Sequence, residues 1–307
     1  MKTMTRLLNR SPAGCRARRV VLPAVAAALA LASPALAAPA WVITPTVNPS
    51  PQKVAFSNVL NAVGARTSTD AWAVGNFLGP NDDDGQVMLA EHWNGSAWSQ
   101  VPTPNVVRFD EKLNAVSAAA ASDVWAVGST SRTGFAHTDP LAAHWDGTSW
   151  TIVPTPATTG GSKSILFGVA NLGGGNAWAV GRSEANRALV EHWNGSAWTI
   201  IPTPDPVAPA GSTFSGSTLT AVSARSANDI WAVGSFSAAK GTNSNSFTLT
   251  MHWNGSAWTP ETTPVGPDGQ PVMKGISAVP GSATEIWAAG ITLPSGGGYH
   301  TFVVHHP

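Results

Sequence analysis

The chain contains the stretch LNAVSAAAASDVWAVG at Leu113–Gly128, followed by a loop and then by LAAHWDGTSWTIVPTP at Leu141–Pro156. Its WAVG core recurs, once as WAAG, with a tryptophan at each of five positions: Trp72, Trp125, Trp178, Trp231 and Trp287. By subtraction, successive copies lie 53, 53, 53 and 56 residues apart. A fixed period near 50 residues is typical of a propeller or another repeat array. The repeat therefore says much about the fold and far less about what the protein binds.

Each copy predicts four short antiparallel strands. The first strand has a small residue at its centre, as expected for strands crowded around a narrow axis: Ala62, Ala115, Gly168, Ala221 and Gly275. The second strand carries WAVG, whose glycine permits a bend or a close approach of another strand. The third strand ends in His-Trp, and Asn-Gly or Asp-Gly precedes the fourth. That dipeptide predicts a hairpin with a two-residue type I′ turn.

The two ends of the chain complement each other. Residues 40–46 read AWVITPT, which matches the end of a repeat, whereas the fifth copy stops at Phe302–Pro307, before its last strand. A ring can close in this way, because the first strand completes the last blade and removes the open sheet edges. The sequence therefore predicts an all-β fold: a five-bladed β-propeller of four-stranded antiparallel blades, closed by the N-terminal strand.

The N-terminal 37 residues read as an export signal. A basic segment precedes the apolar run 20–32, and Ala35–Ala37 forms an A-x-A cleavage site. The run is too short to span a bilayer, and Arg18-Arg19 leaves both Sec and twin-arginine export open. We therefore expect a signal peptide at 1–37, a propeller domain at 38–307 and a secreted protein.

Charge excludes one class of partner. Six of the 17 basic residues lie in the predicted signal and none of the 17 acidic ones, so the mature chain carries 11 basic and 17 acidic groups, a net charge of −6. It therefore lacks the basic footprint of a nucleic-acid-binding protein. The single cysteine, Cys15, also lies in the signal, so no disulfide is expected in the mature protein.

Loop variation points to one face of the ring. The connections between the second and third strands differ in length and chemistry, and Ser235–Ser246 is the longest and is rich in serine and asparagine. Function usually resides in such variable loops on a rigid scaffold. We predict one or two asymmetric ligand sites there, built from aromatic and planar polar side chains: Phe77, Asp82, Phe135, Asp139, Arg182, Arg187, Phe236, Tyr299 and His300. The alternative is that the phenylalanines only anchor their own loops.

Metal binding and catalysis are less favoured. The acidic run Asp82–Asp84 is a candidate calcium loop, with a solvated loop as the alternative, and no other cofactor is expected. Five repeat histidines lie in separate blades, where they diverge rather than converge on a metal, and each is expected to be half-buried and bonded to a neighbouring backbone: His92, His144, His192, His252 and His305. A glycoside hydrolase needs a converging carboxylate pair, and the predicted inner strands contain no Asp or Glu. We therefore expect no enzyme.

The repeat WAVG…HWNGSAWT…VPTP over Trp41–Pro307 resembles secreted actinobacterial propellers of a kelch-like kind, although the kelch Gly-Gly doublet is absent. Size, export signal and copy number also resemble the propeller lectin subunits of umbrella toxin particles. That resemblance implies a non-enzymatic subunit of a larger extracellular toxin assembly, which binds a cell-surface glycan and docks on an adaptor protein. A protein-interaction scaffold without a sugar site and, after it, a secreted glycoside hydrolase are the alternatives.

Overall fold

The computed structural model of this protein describes residues 41–49, 58–79, 85–105, 109–132, 137–156, 163–264, 270–294 and 296–307. Regular structure in these ranges consists of five antiparallel sheets, numbered 1 to 5 in chain order, in which each strand pairs with the next one along the chain. Sheets 1 and 2 contain β1 (Asn58–Thr67), β2 (Asp70–Leu78), β3 (Gln86–Trp93), β4 (Trp98–Gln100), β5 (Phe109–Ala120), β6 (Asp123–Arg132), β7 (Thr138–Trp145) and β8 (Trp150–Val153).

The remaining three sheets follow the same order, except that the last has three strands. They contain β9 (Ile165–Gly173), β10 (Asn176–Arg182), β11 (Ala188–Trp193), β12 (Trp198–Ile200), β13 (Thr213–Ser226), β14 (Asp229–Lys240), β15 (Asn243–Trp253), β16 (Trp258–Glu261), β17 (Gln270–Ala278), β18 (Ile286–Leu293) and β19 (His300–His306). Within the described residues, no helix is long and apolar enough to cross a membrane.

Tryptophans of the repeat form the contacts between neighbouring sheets. Trp125 of sheet 2 is 2% exposed and lies 5.0 Å from Trp193 and 4.9 Å from Trp198 of sheet 3, measured between ring centroids. Trp72 of sheet 1 contacts the corresponding pair of sheet 2, and Trp178 of sheet 3 contacts that of sheet 4. Large aromatic side chains bury much apolar area and add a tilted or edge-to-face ring contact. The WAVG tryptophan therefore fastens each of these sheets to the next.

Side chains at the inner strands add a second link between sheets. The first strands of sheets 1, 2 and 4 each have a bulge directly after Leu60, Leu113 or Leu219. The side chain of the bulged residue contacts the next sheet. Asn61 donates to the carbonyl of Leu113 at 2.9 Å, and Asn114 donates to that of Leu166 at 2.8 Å. Thr220 donates to the carbonyl of Met273 at 2.6 Å. The bulge thus aims a side chain at a neighbouring backbone, a usual role of such irregularities.

The repeat histidines are structural. His144 Nε2 lies 3.0 Å from Asp123 Oδ1, and its ring lies 4.5 Å from that of Trp125. The same arrangement recurs in the other sheets, with an asparagine in sheet 3 and a longer 3.6 Å contact in sheet 5. The expected bond to a neighbouring backbone is wrong, because a side chain near the start of the second strand is the partner instead.

We expect His144→Gln to lower the free energy of unfolding by about 1–3 kcal/mol, because a partly buried hydrogen bond and a ring contact are disturbed. Urea unfolding followed by tryptophan fluorescence measures this loss. Ligand binding should be unchanged, since His144 faces Trp125 and not the surface described below. Weakened binding at unchanged stability would contradict the structural role.

The turn between third and fourth strands is longer than predicted. Trp93 pairs directly with Trp98, so four residues rather than two make the connection. Asn94 Oδ1 accepts from the backbone N–H groups of Ser96 and Ala97, and Gly95 has a φ of 96°. The asparagine side chain therefore closes the turn itself. The glycine was correctly expected to need positive φ, but the predicted turn length of two residues was wrong.

The predicted closed ring of five blades is also wrong. Residues 41–49 form no strand, and Trp41, Val42 and Ile43 are exposed. Among the described residues, sheet 5 contains three strands, and none of them comes from the N-terminal segment. The contacts that join each first strand to the next have no counterpart of similar extent between β17 and β1 in the described part of the chain.

The exposure of the last repeat tryptophan also shows that the end faces of sheets 5 and 1 are uncovered. Trp287 is 47% exposed, whereas Trp72 and Trp125 are 1% and 2% exposed. On the other side of the opening, Leu60 and Val63 of β1 are 40% and 68% exposed. Five sheets with two uncovered end faces point to the blade spacing of a six-bladed propeller, not to a closed ring of five.

Candidate aromatic ligand site on sheet 4

The predicted loop Ser235–Ser246 is not a loop. Strands β14 and β15 continue through it and remain paired as far as Lys240 and Asn243. Gly241 has a φ of 63° in the short turn that connects them. The alternation of small polar and larger residues is compatible with strands, and the serine-rich composition obscured it. The extension brings two phenylalanines, Phe236 and Phe247, opposite each other on adjacent strands.

These two rings stack at the edge of sheet 4. Their centroids are 5.1 Å apart with an interplanar angle of 26°. Phe214, on β13, extends the stack at 6.4 Å from Phe236. The guanidinium carbon of Arg187 lies 4.2 Å above the Phe214 ring, and Arg187 Nε is 3.7 Å from Asp205 Oδ2. A row of aromatic rings thus ends in a cation held over a ring face, which is an attractive contact.

A cleft of about 330 Å³ opens beside Phe236 and Phe247. We call it the aromatic cleft. It is lined by Pro206, Val207, Phe236, Phe247, Thr248, Leu249, Pro260, Glu261, Thr262 and Thr263. Glu261 and Thr262 are exposed, and Thr263 donates a 2.6 Å hydrogen bond to Thr250. Apolar walls with a few convergent polar groups are the usual makeup of a small-molecule site.

Sheet 2 has a cleft at the equivalent position, but with different chemistry. Thr130 pairs there with Asp139, in the place of the Phe236–Phe247 pair. The cleft has a volume of about 210 Å³, and its lining includes Thr130 and Pro140 but no aromatic residue. In sheet 1 the equivalent pair is Phe77 with Val87. Among the described residues, the aromatic pair at this position is found in sheet 4 alone.

Most of the predicted site residues therefore lie at equivalent positions along the edges of different sheets and do not form a single site. Five of them lie at this same rung of their sheets: Phe77, Asp139, Arg187, Phe236 and His300. The structure connects Arg187 and Phe236 to each other, through Phe214. Arg182 lies one rung nearer the centre in β10, and Tyr299 is 70% exposed before β19. Asp82 and Phe135 lie outside the described residues, as does the candidate calcium run Asp82–Asp84.

Two residues of the cleft were not predicted. Phe247 was missed because it directly follows the supposed serine-rich loop, and Glu261 because it ends the fourth strand and does not lie in a variable loop. Aligning the third strands on their His-Trp ends would have placed Phe247 opposite Phe236. Glu261 carries a signal of its own, since the equivalent positions of the other complete copies are apolar, namely Val101, Val153 and Ile201.

The expectation about acids on the inner strands requires a correction. Strand β5 begins at Phe109, earlier than predicted, and so includes Asp110 and Glu111. Asp110 accepts a hydrogen bond from the backbone N–H of Gln86 at 2.9 Å, and Glu111 is fully buried. Adjacent residues of a strand point to opposite faces of the sheet, so these two carboxyls do not converge as a catalytic pair does. Across the described residues, no three His, Cys, Asp or Glu side chains converge as metal ligands would.

Comparisons with known proteins bear on the fold. No family model and no curated protein matches the sequence. Among solved structures, a protein of unknown function from Dyadobacter fermentans is similar with a TM-score of 0.50 and 10% identity, over 80% of this chain and 74% of that one.

Two further structures resemble the chain less closely in shape. A fucose-binding fungal lectin from Aleuria aurantia, described as a six-bladed β-propeller, gives a TM-score of 0.45 at 16% identity, over 80% of this chain and 73% of its own. An endo-arabinanase from Bacillus licheniformis gives 0.38 at 12% identity, over 80% and 92% of the two chains. The five repeated antiparallel sheets, linked by their tryptophans, show that the chain has an all-β propeller fold.

Proposed function

We propose that this protein is a non-enzymatic, carbohydrate-binding module whose ligand site is the aromatic cleft. The observation that carries the proposal is the stacked, half-buried pair Phe236 and Phe247 in an open cleft with carboxylate and hydroxyl oxygens at its rim. A pyranose ring has an apolar C–H face that packs on an aromatic ring, and hydroxyl groups around its edge that require hydrogen-bond partners. The cleft offers both kinds of surface.

The polar rim suits neutral sugars. Glu261 is exposed and accepts hydrogen bonds, and its Oε1 lies 3.5 Å from the Thr259 hydroxyl, which leaves lone pairs free for a ligand. The hydroxyl of Thr262 can both donate and accept, whereas that of Thr263 already donates its proton to Thr250 and can accept from a ligand. The lectin from Aleuria aurantia is a propeller that binds a sugar, and it gives no information on which sugar this chain takes.

The wider setting also belongs to this proposal. The N-terminal signal supports export, so we propose an extracellular protein that binds a cell-surface glycan. Its resemblance to toxin-particle lectins supports the further idea of a subunit that docks on an adaptor protein in a larger assembly. The buried or engaged carboxylates of β5 support a binding role rather than glycoside hydrolysis.

A glycan array with the full chain tests the proposal. Phe236→Ala and Phe247→Ala should each weaken binding about tenfold or more, which corresponds to about 1.4 kcal/mol of lost binding free energy. The matched control is Phe77→Ala, at the same rung of sheet 1 but without an aromatic partner, which should bind within about twofold of the wild type.

Glu261→Gln tests the cleft independently, in case the phenylalanine variants lose stability. This side chain is exposed, so its replacement should leave the unfolding midpoint unchanged and still weaken sugar binding. Full affinity in all three cleft variants would disprove the assignment. A protein partner retained by the cleft, with no glycan bound on the array, would favour the scaffold function instead.

A further inference from the structure

Arg187 is held in a fixed position at one end of the row of phenylalanines. It closes a tight turn of sheet 3, in which the backbone N–H of Ser183 donates to the carbonyl of Arg187 at 2.8 Å. Asn186, which has a φ of 57°, accepts through its carbonyl from the N–H of Ser217 on β13 at 2.9 Å. The backbone N–H of Ala188 donates to the Ser217 hydroxyl at 2.9 Å. Hydrogen bonds to sheet 4 on both sides of Arg187 therefore fix the backbone that carries its guanidinium.

The guanidinium of Arg187 keeps hydrogen-bonding capacity for a ligand. Its carbon lies 4.2 Å above the Phe214 ring, and its Nε lies 3.7 Å from Asp205 Oδ2. The side chains of this ion pair are 44% and 50% exposed, so the pair contributes little stability. A guanidinium has five N–H donors, and those on Nη1 and Nη2 have no acceptor within the part of the chain that the structure describes. The cation is thus positioned at the surface with donors to spare.

This cation and the carboxylate at the rim lie at opposite ends of the aromatic cleft. Pro206 lines the cleft next to Asp205, the partner of Arg187. Phe214 lies on β13, at one edge of sheet 4, whereas Glu261 lies on β16, at the other. Neighbouring strands are about 4.8 Å apart, so three intervals separate the two ends by roughly 14 Å. That distance exceeds the Debye length at physiological salt, about 8 Å, so Glu261 only weakly opposes an anion beside Arg187.

We infer that the aromatic cleft binds an acidic oligosaccharide, with a neutral sugar on Phe236 and Phe247 and the anionic substituent of a neighbouring sugar, a carboxylate or a sulfate, at Arg187. This inference rests on the proposed carbohydrate-binding function and names the class of its ligand. One sugar unit of a glycan is about as long as the spacing between strands, so about two or three units span the row. A guanidinium binds such oxyanions through charge-assisted and often paired hydrogen bonds, which are stronger than those between neutral groups.

Matched pairs of oligosaccharides on an array test the inference with the full chain. The two members of a pair share one sugar backbone, and one member also carries a uronic carboxylate or a sulfate ester. The wild type should bind the anionic member about tenfold more tightly, and the kind of pair that shows this preference identifies the anion. Arg187→Gln should bind the anionic member no more tightly than the neutral one. Lys163→Gln makes the same change of charge at an exposed residue before sheet 3, and it should keep the preference.

Two further measurements separate this inference from the proposed function. Phe247→Ala should weaken the binding of both members of a pair, because the neutral sugar packs on that ring. Raising the salt concentration from about 0.05 M to about 0.5 M should reduce the preference of the wild type, because salt screens the contact with the anion. Equal binding of both members by the wild type, or a preference that survives in Arg187→Gln, would overturn the inference and leave carbohydrate binding standing. A wild type that binds no member of any pair would overturn both.

Discussion

Replacing Glu191 by methionine should raise the free energy of unfolding by about 4–5 kcal/mol at pH 9 and should remove most of the loss of stability between pH 5 and pH 9. Glu191 is fully buried, and neither of its carboxylate oxygens has a hydrogen-bond partner among the described residues. Burial raises the pKa of this carboxyl to about 8. The charged form is disfavoured because it has lost its hydration without gaining a partner.

The sign of the pH dependence follows from the raised pKa. The carboxyl binds its proton more tightly in the folded protein than in the unfolded chain, whose ordinary value is near 4.5. The cost of ionising Glu191 is therefore absent below pH 4.5, and it grows as the pH rises through the interval between 4.5 and about 8. Urea unfolding at several pH values measures the slope.

The equivalent position of sheet 1 provides the control. Glu91 is also fully buried, and burial raises the pKa of its carboxyl, but the nearby backbone N–H of Val47 opposes the rise. In the repeat, Val47 corresponds to Pro156, which has no N–H to offer Glu191. Glu91→Met should therefore change the slope less than Glu191→Met. Equal slopes in the wild type and Glu191→Met would contradict the argument.

Methionine is the natural replacement because it occupies this position in sheet 4. Met251 faces Ala232 across the strands, as Glu191 faces Ala179. His192 adds a smaller effect of opposite sign, since burial lowers the pKa of its ring. A neutral folded-state histidine gives stability that is lost as the pH falls below about 6.5. The Glu191→Met variant should keep this acidic loss, which separates the two groups.

The repeat made most of each sheet predictable. Small residues at the inner strands, the WAVG tryptophan and the Asn-Gly turns all follow a period that local sequence preserves, so strand order and sheet number could be derived. Gly168 illustrates the physical basis, because a Cβ there would lie 3.1 Å from the Cα of Ala221 on the next inner strand. Where the same residue types recur at the same spacing, the same contact recurs.

The pairing of the N-terminal segment and the composition of the aromatic cleft could not be predicted from the repeat, because the repeat does not contain that information. Matching of Trp41–Thr46 to a fourth strand was correct as a sequence relation, but it cannot tell in which sheet, or in which molecule, the segment is paired. At the site, Phe236 was identified and its partner Phe247 was not, because a serine-rich segment was interpreted as a loop. Composition suggests loops, whereas pairing in a long hairpin is decided by cross-strand contacts.

The second large effect concerns the glycine of the WAVG core. Gly128→Ala should lower the free energy of unfolding by more than about 4 kcal/mol, a loss that only a few kinds of substitution produce. A Cβ at this position would overlap the Lys112 carbonyl oxygen and would lie 3.0 Å from the Leu113 Cα. Both are backbone atoms of the paired strand β5, so no side-chain rotation can relieve the clash. The strands must separate instead, beside the bulge that aims Asn114 at sheet 3.

Two other glycines test whether the loss of stability follows the closeness of the added Cβ to neighbouring atoms. At Gly290, the equivalent position of sheet 5, an added Cβ would lie 2.5 Å from the carbonyl oxygen of Val272, and at Gly275 it would meet no atom within 4 Å. Stability in urea should therefore fall in the order Gly275→Ala, Gly290→Ala, Gly128→Ala, with the first close to the wild type. If Gly128→Ala fails to fold, the Gly290 and Gly275 variants still test the order. A Gly128→Ala protein within about 1 kcal/mol of the wild type would show that the glycine of the WAVG repeat is not required by this close backbone approach.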